Sequence, residues 1–232
     1  MKDDLEPIKD YFLKNGKLLS FQIGQNLSSG NYLPGQVVLI ETGKARLIYK
    51  AQGNLKTLKK LEPGSFVGIA SLLNGKACEE VRACEKLTGL CISDKEFQES
   101  YKNYSEIRKC CDNNKWDAEM IFILDRFIEK KTDQKISLSE FFKIIYKEAK
   151  IITSISENLV EKKNNQFLFT SSVYGNSDQG QQLKSNLEIS TFLKNKKIFS
   201  PRIISLSKKI TNFDTSDINN LENSFLNKKI KE

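Results

Sequence analysis

Up to Gly89 the chain alternates short apolar runs with turn signals, and beyond it the apolar residues recur at helical spacing. Residues 5–20 open with a helical pattern that puts Ile8, Tyr11 and Phe12 on one side and ends at Gly16. Phe21–Leu27 reads as a first strand and Ser28–Asn31 as a turn. Val37–Ile40 and Ala45–Tyr49 flank Glu41-Thr42-Gly43, which predicts a hairpin. Gln52-Gly53-Asn54 marks another turn, and Leu55–Leu61 runs into the Pro63-Gly64 corner. Gly68 then opens a short helix, Val81-Arg82-Ala83 returns as a strand, and Thr88–Ile92 is the last strand of the series. Many short strands between closely spaced turns predict a sandwich, jelly roll or small barrel.

The helical part begins at Ser93-x-x-Glu96, the spacing of a capping box, with Phe97 and Tyr101 facing inward. A second helix is predicted over Asn114–Lys130, with Trp116, Met120, Ile123, Leu124 and Phe127 in one stripe. A third starts at the capping box Ser137–Glu140 and aligns Leu138, Phe141, Phe142, Ile145, Ala149 and Ile152. Two later strands, Gln166–Thr170 and Arg202–Leu206, bracket a polar loop over Ser171–Gln182. The expected fold class is therefore α+β: an antiparallel β-roll over 1–100 with an N-terminal helix, a helical region over 101–160, a small α+β element over 161–210, and a tail over 211–232 with little to bury. Ten of the twelve glycines lie in residues 1–89, which agrees with a turn-rich β unit followed by a helical one.

Composition removes several chemistries. The 232 residues include no histidine, so Ser-His-Asp catalysis, Cys-His pairs and His-containing metal sites are excluded. The five cysteines, Cys78, Cys84, Cys91, Cys110 and Cys111, lack C-x-x-C spacing and read as thiols of a reducing compartment. No apolar run is long enough for a membrane span and residues 1–20 carry no signal pattern, so a cytoplasmic location is expected. The net charge is +8, with 14 basic and 12 acidic residues in 1–100 against 23 and 17 in 101–232. Yet 32 of the 37 basic residues are lysine, so the second half reads as a solvated face and no nucleic-acid partner is expected. Gly175 and Gly180 have the G-x-x-x-x-G spacing of a phosphate loop, but Gln181 and Gln182 stand where lysine and Ser/Thr are needed. No enzymatic activity, cofactor or metal is predicted.

The stretch with most chemical interest is Leu61–Leu73 together with Val81–Ala83. Backbone N–H groups at a glycine turn and a helix start make a cradle for an anion. Leu39–Ile48, with Gly43 between two strands, Leu61-x-Pro63-Gly64-x-Phe66-x-Gly68, Val81-Arg82-Ala83 and Ile92-Ser93-Asp94-x-x-Phe97 resemble the cyclic-nucleotide-binding domain family, a cupin-like β-roll. The resemblance covers Phe21 to Phe97 and implies a ligand pocket at the phosphate cassette: Gly68, Ile69, Ala70, Ser71, Cys78, Glu79, Glu80 and Arg82. The family's ribose-binding acid falls at Ile69, which accepts no hydrogen bond. Its phosphate-binding arginine falls near Ala77 or Cys78, neither charged, and Glu79-Glu80 beside a phosphate would repel it. The reading is thus a degenerate cassette that holds no cyclic nucleotide. The order of segments, with Trp116-Asp117-Ala118-Glu119 and Phe167–Ser172 after the roll, also resembles the N-terminal regulatory region of bacterial peptidase-containing ABC exporters. That likeness implies a non-catalytic regulatory or docking module with a protein partner. The competing reading is a cyclic-nucleotide-responsive transcription regulator of the catabolite-activator type. The family resemblance further implies a homodimer through the helix after the roll.

Overall fold

The computed structural model describes residues 5–51, 54–128, 137–154, 165–173, 178–195 and 197–212. Helix α1 (Glu6–Asn15) starts with Pro7 in its first turn and ends at Gly16, whose N–H donates to Phe12 O at 2.7 Å. It buries Ile8 and Phe12. Eight strands follow: β1 (Lys17–Phe21), β2 (Asn26–Ser28), β3 (Gln36–Thr42), β4 (Ala45–Ala51), β5 (Asn54–Leu61), β6 (Phe66–Val67), β7 (Glu80–Ala83) and β8 (Leu87–Ser93). They form two four-stranded antiparallel sheets, β1-β8-β3-β6 and β2-β7-β4-β5. This is the expected antiparallel jelly-roll-like fold, and helices follow it as expected.

Two local expectations change. The stretch Phe21–Leu27 is not one strand: β1 ends at Phe21 and β2 begins at Asn26, with a turn between in which Gln25 N–H donates to Gln22 O at 3.0 Å. The predicted hairpin around Gly43 is instead a corner between sheets. β3 pairs with β6 and β8, whereas β4 pairs with β5 and β7. Gly43 has φ 79°, and a Cβ there would lie 2.6 Å from Lys86 O. Only glycine lets the chain cross between sheets so close to the backbone entering β8. The turn at Gln52-Gly53 lies outside the described residues, although β4 and β5 pair antiparallel up to Ala51 and Asn54.

The Ser93 cap is as expected: its Oγ accepts Glu96 N–H at 3.1 Å and starts α3 (Asp94–Asn103), which buries Phe97 and Tyr101. The long helix expected over Asn114–Lys130 is shorter and preceded by another. Helix α4 (Ser105–Asn113) ends at Asn114, a 3₁₀ turn spans Asp117–Met120, and α5 spans Ile121–Ile128. Trp116, Met120, Ile123 and Leu124 are buried as the stripe required; the side chain of Phe127 lies outside the described residues. Helix α6 (Leu138–Glu148) has the full Ser137–Glu140 capping box and buries Phe141, Phe142, Ile144 and Ile145. Its apolar face stops at Ala149, because Ile152 belongs to a further strand, β9 (Lys150–Ile152).

β9, β10 (Gln166–Thr170) and β11 (Ile203–Ser207) form a three-stranded antiparallel sheet in the order β10-β11-β9. Side chains alternate across it. Phe169, Ile204 and Leu206 join the main core with the roll and its helices, while Leu168 and Ile203 pack with Ile189 and Phe192 of α7 (Asn186–Lys194). Gly175 and the residues beyond 212 lie outside the described residues.

Candidate functional site

The Pro63-Gly64 corner is a tight turn: Ser65 N–H donates to Glu62 O at 3.0 Å, and Gly64 takes φ 88°. The chain then passes through β6 to Gly68, whose φ is 101° and whose Cβ, were there one, would lie 2.9 Å from Gln36 O. Helix α2 (Ile69–Asn74) begins there, so the backbone N–H groups at its start have no partner within the helix.

Those groups are met by a side chain. Glu79 Oε2 accepts Gly68 N–H, and Glu79 Oε1 accepts Ala70 N–H at 2.9 Å. The carboxyl group is 5% exposed. Burial raises its pKa to about 7, against the pull of the Gly68, Ala70 and Ser71 backbone N–H groups and with a smaller push from Asp117. The anion cradle expected at Gly68–Ser71 is therefore present in its geometry, and it is filled by the protein's own Glu79.

The eight predicted residues divide between two faces. Gly68, Ala70 and Glu79 meet in the cradle. Ser71 Oγ accepts Cys78 N–H at 3.1 Å and holds the loop that delivers Glu79. Ile69 is 1% exposed and packs in the main core. The Cys78 thiol is pushed far above its ordinary pKa by burial and by Glu79, so it supplies no nucleophile. Glu80 and Arg82 sit on the other side of β7. Arg82 Nη2 donates to Glu80 Oε1 at 2.8 Å, and Gly30 N–H donates to Glu80 Oε2 at 3.1 Å. Glu79 immediately precedes β7, and it and Glu80 turn to different partners, the cradle N–H groups and Arg82. The two adjacent carboxylates thus never share a site, and Arg82 is spent on Glu80.

Beside Glu79, between the roll and the helical part, a space of about 170 Å³ is walled by Leu47, Lys59, Leu61, Trp116, Asp117 and Tyr146 among others. Pockets for drug-sized ligands are typically about 300–1,000 Å³. Lys59 Nζ holds Asp117 at 2.8 and 2.9 Å and lies 5.3 Å from the centre of the Tyr146 ring, so the 3₁₀ turn and α6 close over this mouth. Among the described residues no group of His, Cys, Asp and Glu could hold a metal ion. No helix among them is long and apolar enough to cross a membrane.

Sequence reasoning missed the polar network behind the cassette. Arg202 and Glu119 are both fully buried, with Arg202 Nε to Glu119 Oε1 at 2.5 Å and Nη2 to Oε2 at 3.0 Å. Two further guanidinium N–H groups reach Cys111 O at 2.8 Å and Asn114 O at 2.7 Å. Ser171 Oγ lies 3.1 Å from Glu119 Oε1 and 2.9 Å from Asn74 Oδ1, at the end of α2. Val173 N–H donates to Asn74 O at 2.9 Å. The cassette helix is thereby tied to the C-terminal sheet. A single Arg and a single Glu 83 positions apart carry no local pattern, so only the fold brings them together.

An antiparallel β-roll with a short helix after its Pro-Gly corner is the class this fold defines. Residues 11–104 match the family model of the cyclic nucleotide-binding domain. Similar solved structures include the Thermus thermophilus catabolite activator protein, at 19% identity over 54% of this chain and 55% of that one, TM-score 0.40. A cyclic nucleotide-binding domain from Methylobacillus flagellatus is similar at 16% identity over 54% of this chain and 74% of that one, TM-score 0.39. The c-di-GMP-responsive global regulator CLP of Xanthomonas campestris is similar at 14% identity over 47% of this chain and 56% of that one, TM-score 0.39. No curated protein matches the chain.

Proposed function

We propose that the chain is a non-catalytic regulatory or docking module whose β-roll is closed to cyclic nucleotides by its own Glu79. The observation that carries this reading is the pair of bonds from Gly68 N–H and Ala70 N–H to the Glu79 carboxyl group. A phosphate entering the cradle must displace a group already bonded there, and Ala77 and Cys78 offer it no cation in return. The space directly beside Glu79, about 170 Å³, is small for a ligand of nucleotide size. The partner is then a protein, and the segment order ending in Phe167–Ser172 supports a cytoplasmic accessory role beside a bacterial ABC-type export system.

The test is thermal unfolding of the purified chain with cyclic AMP, cyclic GMP and cyclic di-GMP at millimolar concentration. A ligand bound only by the folded state adds about 2.7 kcal/mol at a hundred times its dissociation constant. No shift of the midpoint is expected with any of the three. A saturable rise with one of them would sink the closed-site reading and favour the ligand-responsive regulator instead.

A further inference from the structure

Asn74, the buried last residue of α2, touches both the loop that delivers Glu79 and the C-terminal sheet. Toward the loop, its Nδ2 donates to Cys78 Sγ at 3.9 Å, and Cys78 immediately precedes Glu79. Ser71 Oγ accepts Cys78 N–H, so the loop is fastened to α2 at two points. Toward the sheet, Asn74 Oδ1 accepts the Ser171 hydroxyl at 2.9 Å and Asn74 O accepts Val173 N–H at 2.9 Å. Ser171 follows β10 directly, and its N–H donates at 2.8 Å to the carbonyl of Arg202, the residue before β11. One side chain thus joins the sheet to the plug.

The Ser171 hydroxyl has one proton and two acceptors within reach, Asn74 Oδ1 at 2.9 Å and Glu119 Oε1 at 3.1 Å. It serves only one of them fully at a time. Which one it serves depends on how well Glu119 is satisfied elsewhere, and the same Oε1 accepts Arg202 Nε. A buried carboxylate that loses its cation takes any donor it can reach, and a buried acceptor that loses its donor costs free energy. Helix α2 has six residues, too few to hold its place by its own backbone bonds, so its tethers decide where it sits.

We propose that the C-terminal sheet regulates the cradle: its hold on Asn74 through Ser171 keeps Glu79 bonded to the Gly68 and Ala70 N–H groups, and displacement of Arg202 releases it. With the guanidinium in place, Glu119 has its cation and the Ser171 proton stays with Asn74. When Arg202 moves with β11, Glu119 draws that proton to itself, Asn74 lets go of the sheet, and the Cys78–Glu79 loop loosens. The shared proton is the two-state element that both ends bias, as coupling between separate sites requires. This lever rests on the closed-cradle reading, since it acts only where Glu79 fills the cradle.

Hydrogen exchange of the Gly68 and Ala70 amides is followed by NMR in the ¹⁵N-labelled wild type, Glu79→Ala, Ser171→Ala and Ser137→Ala. In each protein it is referred to the slow amides of β3 and β8, which removes any change in global stability. Glu79→Ala should speed exchange at both positions; if it does not, the closed cradle falls and the lever with it. Ser171→Ala should speed both roughly tenfold, within the usual range for coupled sites. Ser137→Ala removes a helix cap outside this chain of bonds and should leave the ratio unchanged. Arg202→Lys keeps the cation but not the fork that fixes Glu119, so it should act like Ser171→Ala and gives the same reading where that variant does not fold. Combined with Ser171→Ala it should add nothing further. An effect of Glu79→Ala without one of Ser171→Ala or Arg202→Lys overturns the lever and leaves the closed cradle standing. Equal acceleration by Ser137→Ala, or additive effects in the double variant, also overturns it.

Discussion

Replacing Glu79 with glutamine tests whether a carboxyl group, rather than any side chain of that size, belongs in the cradle. The folded group titrates near 7 and the ordinary value is 4.5. Between those values the folded chain holds a proton on Glu79 that the unfolded chain has lost. Stability then falls as pH rises through the window, because the native state binds more protons. The gap is worth roughly 3 kcal/mol, fully lost above pH 7 and fully retained below 4.5. Other carboxylates titrate in the same range, so the readout is the difference between wild type and Glu79→Gln, measured by urea unfolding from pH 4.5 to 8.

The amide changes both ends of that curve. A protonated carboxyl group accepts the Gly68 and Ala70 N–H groups through its two oxygens, but glutamine offers one oxygen and turns an NH₂ toward the other donor. At low pH the variant should be less stable by about 1–3 kcal/mol, the cost of one unsatisfied buried donor. As pH rises the wild type loses stability and the variant does not, so the curves close or cross near neutrality. Parallel curves across the whole window would refute the reasoning, since they would mean that Glu79 titrates alike in both states.

Three further perturbations probe the frame around the cradle, each read by urea unfolding at pH 7. Arg202→Met leaves Glu119 buried without its cation and should cost about 3–5 kcal/mol, with much of it recovered in Arg202→Met/Glu119→Leu; equal losses in both would show that the pair does not act as a unit. Gly43→Ala must hold alanine at positive φ and should cost about 1–2 kcal/mol from that alone, more from the approach to Lys86 O, whereas a neutral change would mean that the corner relaxes. Ser137→Ala removes the oxygen that caps Glu140 N–H and should cost about 1 kcal/mol; no loss would place the start of α6 elsewhere.

Local signals in the sequence located most elements because each has a short-range cause. Ser93 and Ser137 announce their helices by a hydroxyl placed three residues before a glutamate, and the bonds form as that spacing requires. Strand pairing is different. Glu41-Thr42-Gly43 looks like a hairpin turn because a glycine between two apolar runs has the same local appearance whether the chain turns back or crosses to another sheet. Only the partner of each strand, many residues away, decides between them. The short α4 and the three-residue strand β9 were hidden for a related reason: each is fixed by packing on neighbours rather than by its own periodicity.

The cradle was legible as a place and misleading as a balance of charges. Gly68 and the short helix after it mark unsatisfied backbone donors, and Ile69, Ala77 and Cys78 mark missing ligand contacts; all five readings depend only on residue type. Glu79 and Glu80 were read together as repelling a phosphate, yet at the entry to β7 one carboxyl group turns to the Ala70 N–H and the other to Arg82. Repulsion and replacement both argue against a bound nucleotide, but they differ in what mutation should do. If repulsion alone kept the site empty, neutralising Glu79 would open it. With the carboxyl group bonded into the cradle, Glu79→Gln leaves a plug of the same size, and an opened site needs the smaller Glu79→Ala together with an arginine at Ala77.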